Sequence, residues 1–233
     1  MRRFYLISFI TFILILAINS CKPSVCENKR NLFLVSENVK MINFASLKSM
    51  KRTIKYLENI ACKNSETALP IIYFDSKKSK IVDHASRNTF SLGIEPPPCG
   101  NIDFEYDFDK ILEINLDGNN ILIEGKLMPL DSVAQYVYYQ YLNYGKRKGF
   151  SDMPDGNGMW LITKMKRPIS DFEPIIAELI KGYIQTAEDF CEAIFDKKIC
   201  ELSEDEYIKF KNRIQFHLAF KYSDDLKPIL ISG

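Results

Sequence analysis

Residues 111–124 read I-L-E-I-N-L-D-G-N-N-I-L-I-E, and this stretch constrains the fold more tightly than any other. Apolar and polar residues alternate with the period of a strand on both sides of Asp117-Gly118, a dipeptide that favours the tight reversal of a hairpin. A two-stranded hairpin is not stable alone in water, so its apolar face needs a second layer. The following residues supply one. Gly125-Lys126 makes another turn, and Pro129-Leu130-Asp131 opens a helix with Asp131 as N-cap. Val133, Tyr136, Val137, Gln140 and Tyr141 run along that helix, and Gly145 serves as its C-terminal stop. Residues 146–158 read as a long exposed loop and 159–163 (M-W-L-I-T) as a strand. Ser170-Asp171-Phe172-Glu173 has the capping-box pattern, with Pro174 in the first turn. Apolar residues from Phe172 to Cys191 then recur on one face of a long helix. Ser203-Glu204-Asp205-Glu206 is a second capping box, opening a helix that reaches Ile214. The order β-β-α-loop-β-α-α predicts an α+β fold, a small mixed or antiparallel sheet with helices packed on one face.

The first half is less regular. Residues 31–35 (N-L-F-L-V) predict a short strand. Ser36 then reads as the N-cap of a helix carrying Val39, Ile42, Leu47, Met50, Ile54, Leu57 and Ala61 as far as Cys62. Residues 68–74 predict a second strand, and the lysines of 77–80 a solvated turn. The run E-P-P-P-C-G at 95–100 suits neither helix nor central strand, because proline lacks the donor and fixes φ. It marks the boundary of the second half. Asp103, Glu105, Asp107 and Asp109 alternate with apolar residues, the pattern of a solubilising edge strand, with a cation or a basic partner as the alternative.

Arg2 and Arg3 precede an uncharged apolar run over residues 4–18, which ends in Asn19-Ser20-Cys21. That is the plan of a secretory signal. As a helix the run spans roughly 22 Å, short of the ~30 Å hydrocarbon core. The segment L-A-I-N-S-C at 16–21 resembles a bacterial lipobox, which implies cleavage before Cys21 and lipidation of its sulfur. An uncleaved signal anchor and ordinary secretion are the alternatives. The resulting division is a leader (1–20), a polar tether (21–30), an N-terminal α/β segment (31–100), an α+β domain (101–222) and a tail (223–233).

Lys+Arg number 31 and Asp+Glu 30, for a net charge of +1, which argues against a nucleic-acid partner. The expected partners are a membrane at the N-terminus and a second protein or another copy of the chain. Six cysteines occur, at 21, 26, 62, 99, 191 and 200, with neither C-x-x-C nor zinc-type spacing. An oxidising compartment permits disulfides, and Cys191 with Cys200 is the candidate pair, against buried free thiols. The two histidines, His84 and His217, lie far apart in sequence, and His217 reads as a half-buried core imidazole. Residues 152–158 (D-M-P-D-G-N-G) lack the alternating acids and terminal Glu of a calcium loop. There is no phosphate loop, nucleophile elbow or H-E-x-x-H motif. No enzymatic activity, catalytic residue, cofactor or metal is therefore expected.

The unit over 111–133, a strand, a D-G turn, a second strand and a leucine-aspartate pair opening a helix, is similar to the periplasmic domain of ExbD/TolR proteins. Residues 169–183 (I-S-D-F-E-P-I-I-A-E-L-I-K-G-Y) resemble the second helix of that domain in Bacteroidota-type members, followed after L-S-E by a charged helix. The resemblance covers about 111–220. It implies an envelope protein that works beside a polytopic membrane partner and is linked to transport driven by proton-motive force. The family's membrane helix carries a proton-relaying aspartate, whereas residues 4–18 contain no Asp, Glu or His. The matching role is thus a lipid-anchored derivative that keeps the binding domain, or an orphan envelope lipoprotein that binds a ligand or holds structure without any motor. Sheet-edge pairing would use the strand carrying Ile111, Glu113 and Asn115.

Overall fold

A computed structural model describes residues 26–33, 41–43, 49–63, 71–74, 90–93 and 110–222 except 145, 151, 152, 156 and 165. Cys21, His84, Gly145, Asp152, the turn at 77–80, the proline run and the acidic alternation at 102–109 lie outside the described residues.

The hairpin forms where its pattern placed it. Strand β4 (Lys110–Asp117) pairs antiparallel with β5 (Asn120–Ile123), and Asp117 faces Asn120 across the two-residue loop. Gly118 takes φ +58° there, a conformation side chains rarely adopt. A second turn at Glu124-Gly125, both at positive φ, leads to β6 (Lys126–Met128), which pairs with β5. Helix α3 (Ser132–Leu142) and strand β7 (Asn157–Thr163) follow, with β7 parallel to β4. Helices α4 (Glu173–Phe195) and α5 (Glu204–Arg213) precede β8 (Leu218–Tyr222), parallel to β7. The sheet is mixed, in the order β6-β5-β4-β7-β8. Parallel neighbours need long crossovers, and α3 and the α4–α5 pair provide them.

Period-two alternation decides which face is dry. Leu112, Ile114 and Leu116 of β4, Met159 and Leu161 of β7, and Leu218 and Phe220 of β8 point to one side and are buried. They meet Val133, Val137 and Tyr141 of α3 and Ile176, Leu179, Ile180 and Tyr183 of α4 in one core. Gly182 brings the two helices close, since a Cβ there would stand 2.4 Å from the Ala134 carbonyl oxygen. The chain is α+β, with a mixed sheet and helices.

Several local expectations are corrected. Residues 31–33 form a 3-10 turn rather than a strand, after the short helix α1 (Glu27–Arg30). The expected helix from Ser36 is interrupted by strand β1 (Met41–Asn43), and α2 runs only over Met50–Lys63. Strand β1 pairs parallel with β2 (Ile71–Phe74), which pairs antiparallel with β3 (Phe90–Gly93), a second sheet of three strands. Ser170 does not cap α4. It sits inside a 3-10 turn (Ile169–Phe172) that feeds the helix, with Pro174 in the first turn as expected. Asp131 occupies the N-cap of α3 but makes no side-chain cap bond. The left-handed residue after α3 is Tyr144, φ +47°. The Ser203 capping box forms as expected: Glu206 N donates to Ser203 Oγ at 3.4 Å, and Ser203 N to Glu206 Oε2 at 2.8 Å.

Candidate functional site

Strand β4 is the middle of the five, flanked by β5 and β7. Its backbone is therefore largely committed, and Ile111, Glu113 and Asn115 do not form the pairing edge expected of them. Among the described strands the edges are β6 and β8. The three residues instead share the sheet face opposite the helices. In register across that face lie Leu127, Leu122, Asn115, Ile162 and Lys221, and beside them Glu113, Trp160 and Ala219. Leu127 is 54 % exposed. The Lys221 ammonium sits 2.8 Å from the centre of the Trp160 ring, a cation–π contact. Burial pushes the Lys221 pKa down, and the Glu113 carboxylate opposes that shift. Trp160 Nε1 is buried without a hydrogen-bond partner among the described residues.

The second feature is a covalent clasp. Cys200 is bonded to Cys26, with Cα atoms 5.7 Å apart, and not to Cys191, which is a free, buried thiol. The reason lies in helix geometry. Cys191 is on the inward face of α4, where burial pushes its pKa up to about 12. The chain reverses at Asp196, φ +52°, and carries Cys200 outward on a 3-10 turn (Ile199–Glu201). The segment expected to be a free polar tether is docked there. Asn28 Nδ2 donates to the carbonyls of Ile199 and Leu202, both at 3.1 Å, and Lys29 Nζ pairs with Glu188 at 2.9 Å. Leu32 and Phe33 enter the core, and the Phe33 ring packs on Tyr183 and Phe216 with centroids 5.4 and 5.0 Å away. Lys211 Nζ donates to the Leu32 carbonyl at 2.6 Å, and burial lowers its pKa to about 8.

The third feature is the loop after α3. Asn143 Oδ1 accepts from Arg147 N at 2.8 Å, and its Nδ2 donates to Arg147 O at 3.0 Å. The Arg147 guanidinium lies 3.6 Å from the Tyr139 ring centre. Phe150 packs on Tyr136 and Tyr139, both at 5.6 Å, and Lys110 Nζ donates to its carbonyl at 3.4 Å. Asn157, expected in an exposed loop, is buried at the start of β7 and donates to Met153 O at 2.7 Å, bracing the loop from inside. His217 is half-buried before β8, its carbonyl accepting from Met159 N at 2.9 Å.

Among the described residues no three His, Cys, Asp or Glu side chains gather closely enough to hold a metal, and no helix is long and apolar enough to cross a membrane. No protein-family model, curated protein or solved structure matches the chain.

Proposed function

We propose that this chain is a non-enzymatic cell-envelope protein, anchored to a membrane by its N-terminus, whose α+β domain faces the periplasm and binds another protein. The observation that carries the reading is the Cys26–Cys200 bridge. Structural disulfides persist in oxidising compartments and are rare in the cytosol, so the bridge supports the same location as the leader, from residues that the leader reading did not use. Protein binding is supported by the short, exposed edge strand β6, with Leu127 54 % exposed. Edge strands carry unpaired backbone groups that a partner strand can satisfy.

A link to an ExbD/TolR-type motor is the more specific form of this reading, favoured by the order of hairpin, helix and strand over 111–163. An orphan lipoprotein acting as a ligand-binding or structural module is the other. The test is the intact mass of the membrane-extracted protein beside Cys21→Ala, with peptide mapping under non-reducing conditions. The reading expects a chain starting at Cys21 with added acyl mass, lost in the variant, and a Cys26–Cys200 linked peptide. A full-length cytosolic chain with both thiols free to alkylate overturns it. Co-purification with a polytopic membrane protein separates the motor-linked form from the orphan, which extracts alone.

A further inference from the structure

The clasp and the loop after α3 lie at one end of the domain. Helices α3 and α4 both return antiparallel to the parallel strands, so their C-termini share the end where β4 and β7 begin. Contacts trace the neighbourhood directly. Lys29, three residues after Cys26, pairs with Glu188 of α4. The next residue, Asp189, lies beside Tyr138 of α3, and burial followed by that carboxylate raises the tyrosine pKa. Tyr138 packs on Tyr139 at 6.0 Å, and Tyr139 carries Arg147 and Phe150. Only residues 22–25 separate Cys21 from Cys26, a reach of roughly 18 Å at full extension. A domain clasped at Cys26 therefore holds this end near whatever Cys21 is attached to.

That end carries the chemistry of a membrane interface. Lys146, Arg147 and Lys148 are consecutive and exposed. Tyr144 and Met153 flank them, 49 % and 56 % exposed. The Asn143–Arg147 hydrogen bonds and the Phe150 packing hold the loop in shape. Over 143–158 the sequence carries Lys146, Arg147 and Lys148 against Asp152 and Asp155, a basic excess of one, and the neighbouring Glu188 is paired with Lys29. Basic residues near an anionic bilayer gain electrostatic attraction, and amphipathic aromatic side chains suit the headgroup layer. We propose that Tyr144, Lys146, Lys148 and Met153 form a contact surface for the anionic phospholipid headgroups of the membrane that holds the N-terminus. The proposal rests on the anchoring proposed above, and it sets the domain's orientation on the bilayer, with the opposite end of the sheet directed away.

The full chain, extracted and reconstituted into phosphatidylcholine vesicles with or without phosphatidylglycerol, tests it by flotation and by hydrogen exchange over 143–155. An anchored chain floats with both vesicle types. The loop proposal expects exchange about fivefold slower on the anionic vesicles, with the difference lost in Lys146→Glu/Lys148→Glu. Those side chains are exposed, so the variant keeps its fold and its flotation. Equal exchange on both vesicle types, or protection unchanged in the variant, overturns the proposal while leaving the anchor standing. Flotation with anionic vesicles alone removes the anchor and supports the loop. Flotation with neither removes both.

Discussion

Breaking the Cys26–Cys200 bridge is the perturbation with the clearest expected size. The bonded residues are 174 apart in sequence. In the chain-entropy picture a closed loop of that length restrains the unfolded state by about 5 kcal/mol at 25 °C, an upper figure because real unfolded chains are already partly compact. The docked segment has its own attachments. Burying Phe33 contributes roughly 2–3 kcal/mol, while the half-exposed Lys29–Glu188 pair adds at most about 1 kcal/mol. Cys26→Ala/Cys200→Ala should therefore stay folded but lose about 2–5 kcal/mol in urea denaturation. Reductant should produce the same loss in the wild type and none in the double variant. Iodoacetamide should leave Cys191 unlabelled in the native protein, since its thiol is buried and its pKa is pushed up to about 12. A loss below about 1 kcal/mol would refute the entropic argument. Alkylation of Cys26 and Cys200 in unreduced native protein would refute the bridge itself.

Gly182→Ala separates packing from propensity. Alanine is better than glycine in a helix by about 1 kcal/mol, yet its Cβ would stand 2.4, 2.8 and 3.0 Å from backbone O, Cα and C of Ala134. Overpacking of this kind costs about 1–3 kcal/mol, which outweighs or cancels that gain, so the variant should be less stable by up to about 2 kcal/mol on thermal or urea melting. Ala134→Gly should not rescue it, because the obstructing atoms are main-chain; a stabilised Gly182→Ala would show that the helices separate freely. Lys211 gives a pH signature. Its pKa falls from the ordinary 10.5 to about 8 on folding, so between these values the unfolded chain binds more protons and stability rises with pH. Wild type minus Lys211→Met should thus gain stability from pH 8 to pH 10, and a flat difference would mean that the ammonium keeps its hydration.

Where the chain obeyed local rules, the sequence foretold the structure. The 111–124 hairpin, α3, α4 and the Ser203 capping box all have signals contained within a turn or two, and all appear. The elements without a local signal are set by distant contacts. Strand β8 (L-A-F-K-Y) lacks clean alternation because Leu218, Ala219 and Phe220 are buried on both faces, and β6 is only three residues long. The mis-assigned disulfide has the same origin. Sequence proximity made Cys191 look like the neighbour of Cys200, whereas helix phase turns Cys191 inward and the left-handed break at Asp196 turns Cys200 outward. Its true partner is brought in by Leu32 and Phe33, two apolar residues read as a short strand that instead complete the core of the second half. The consequence is functional. Cys26–Phe33 are part of the domain rather than a leash, so under the anchoring proposed above the clasp, and not a free tether, would set how the domain sits on a membrane.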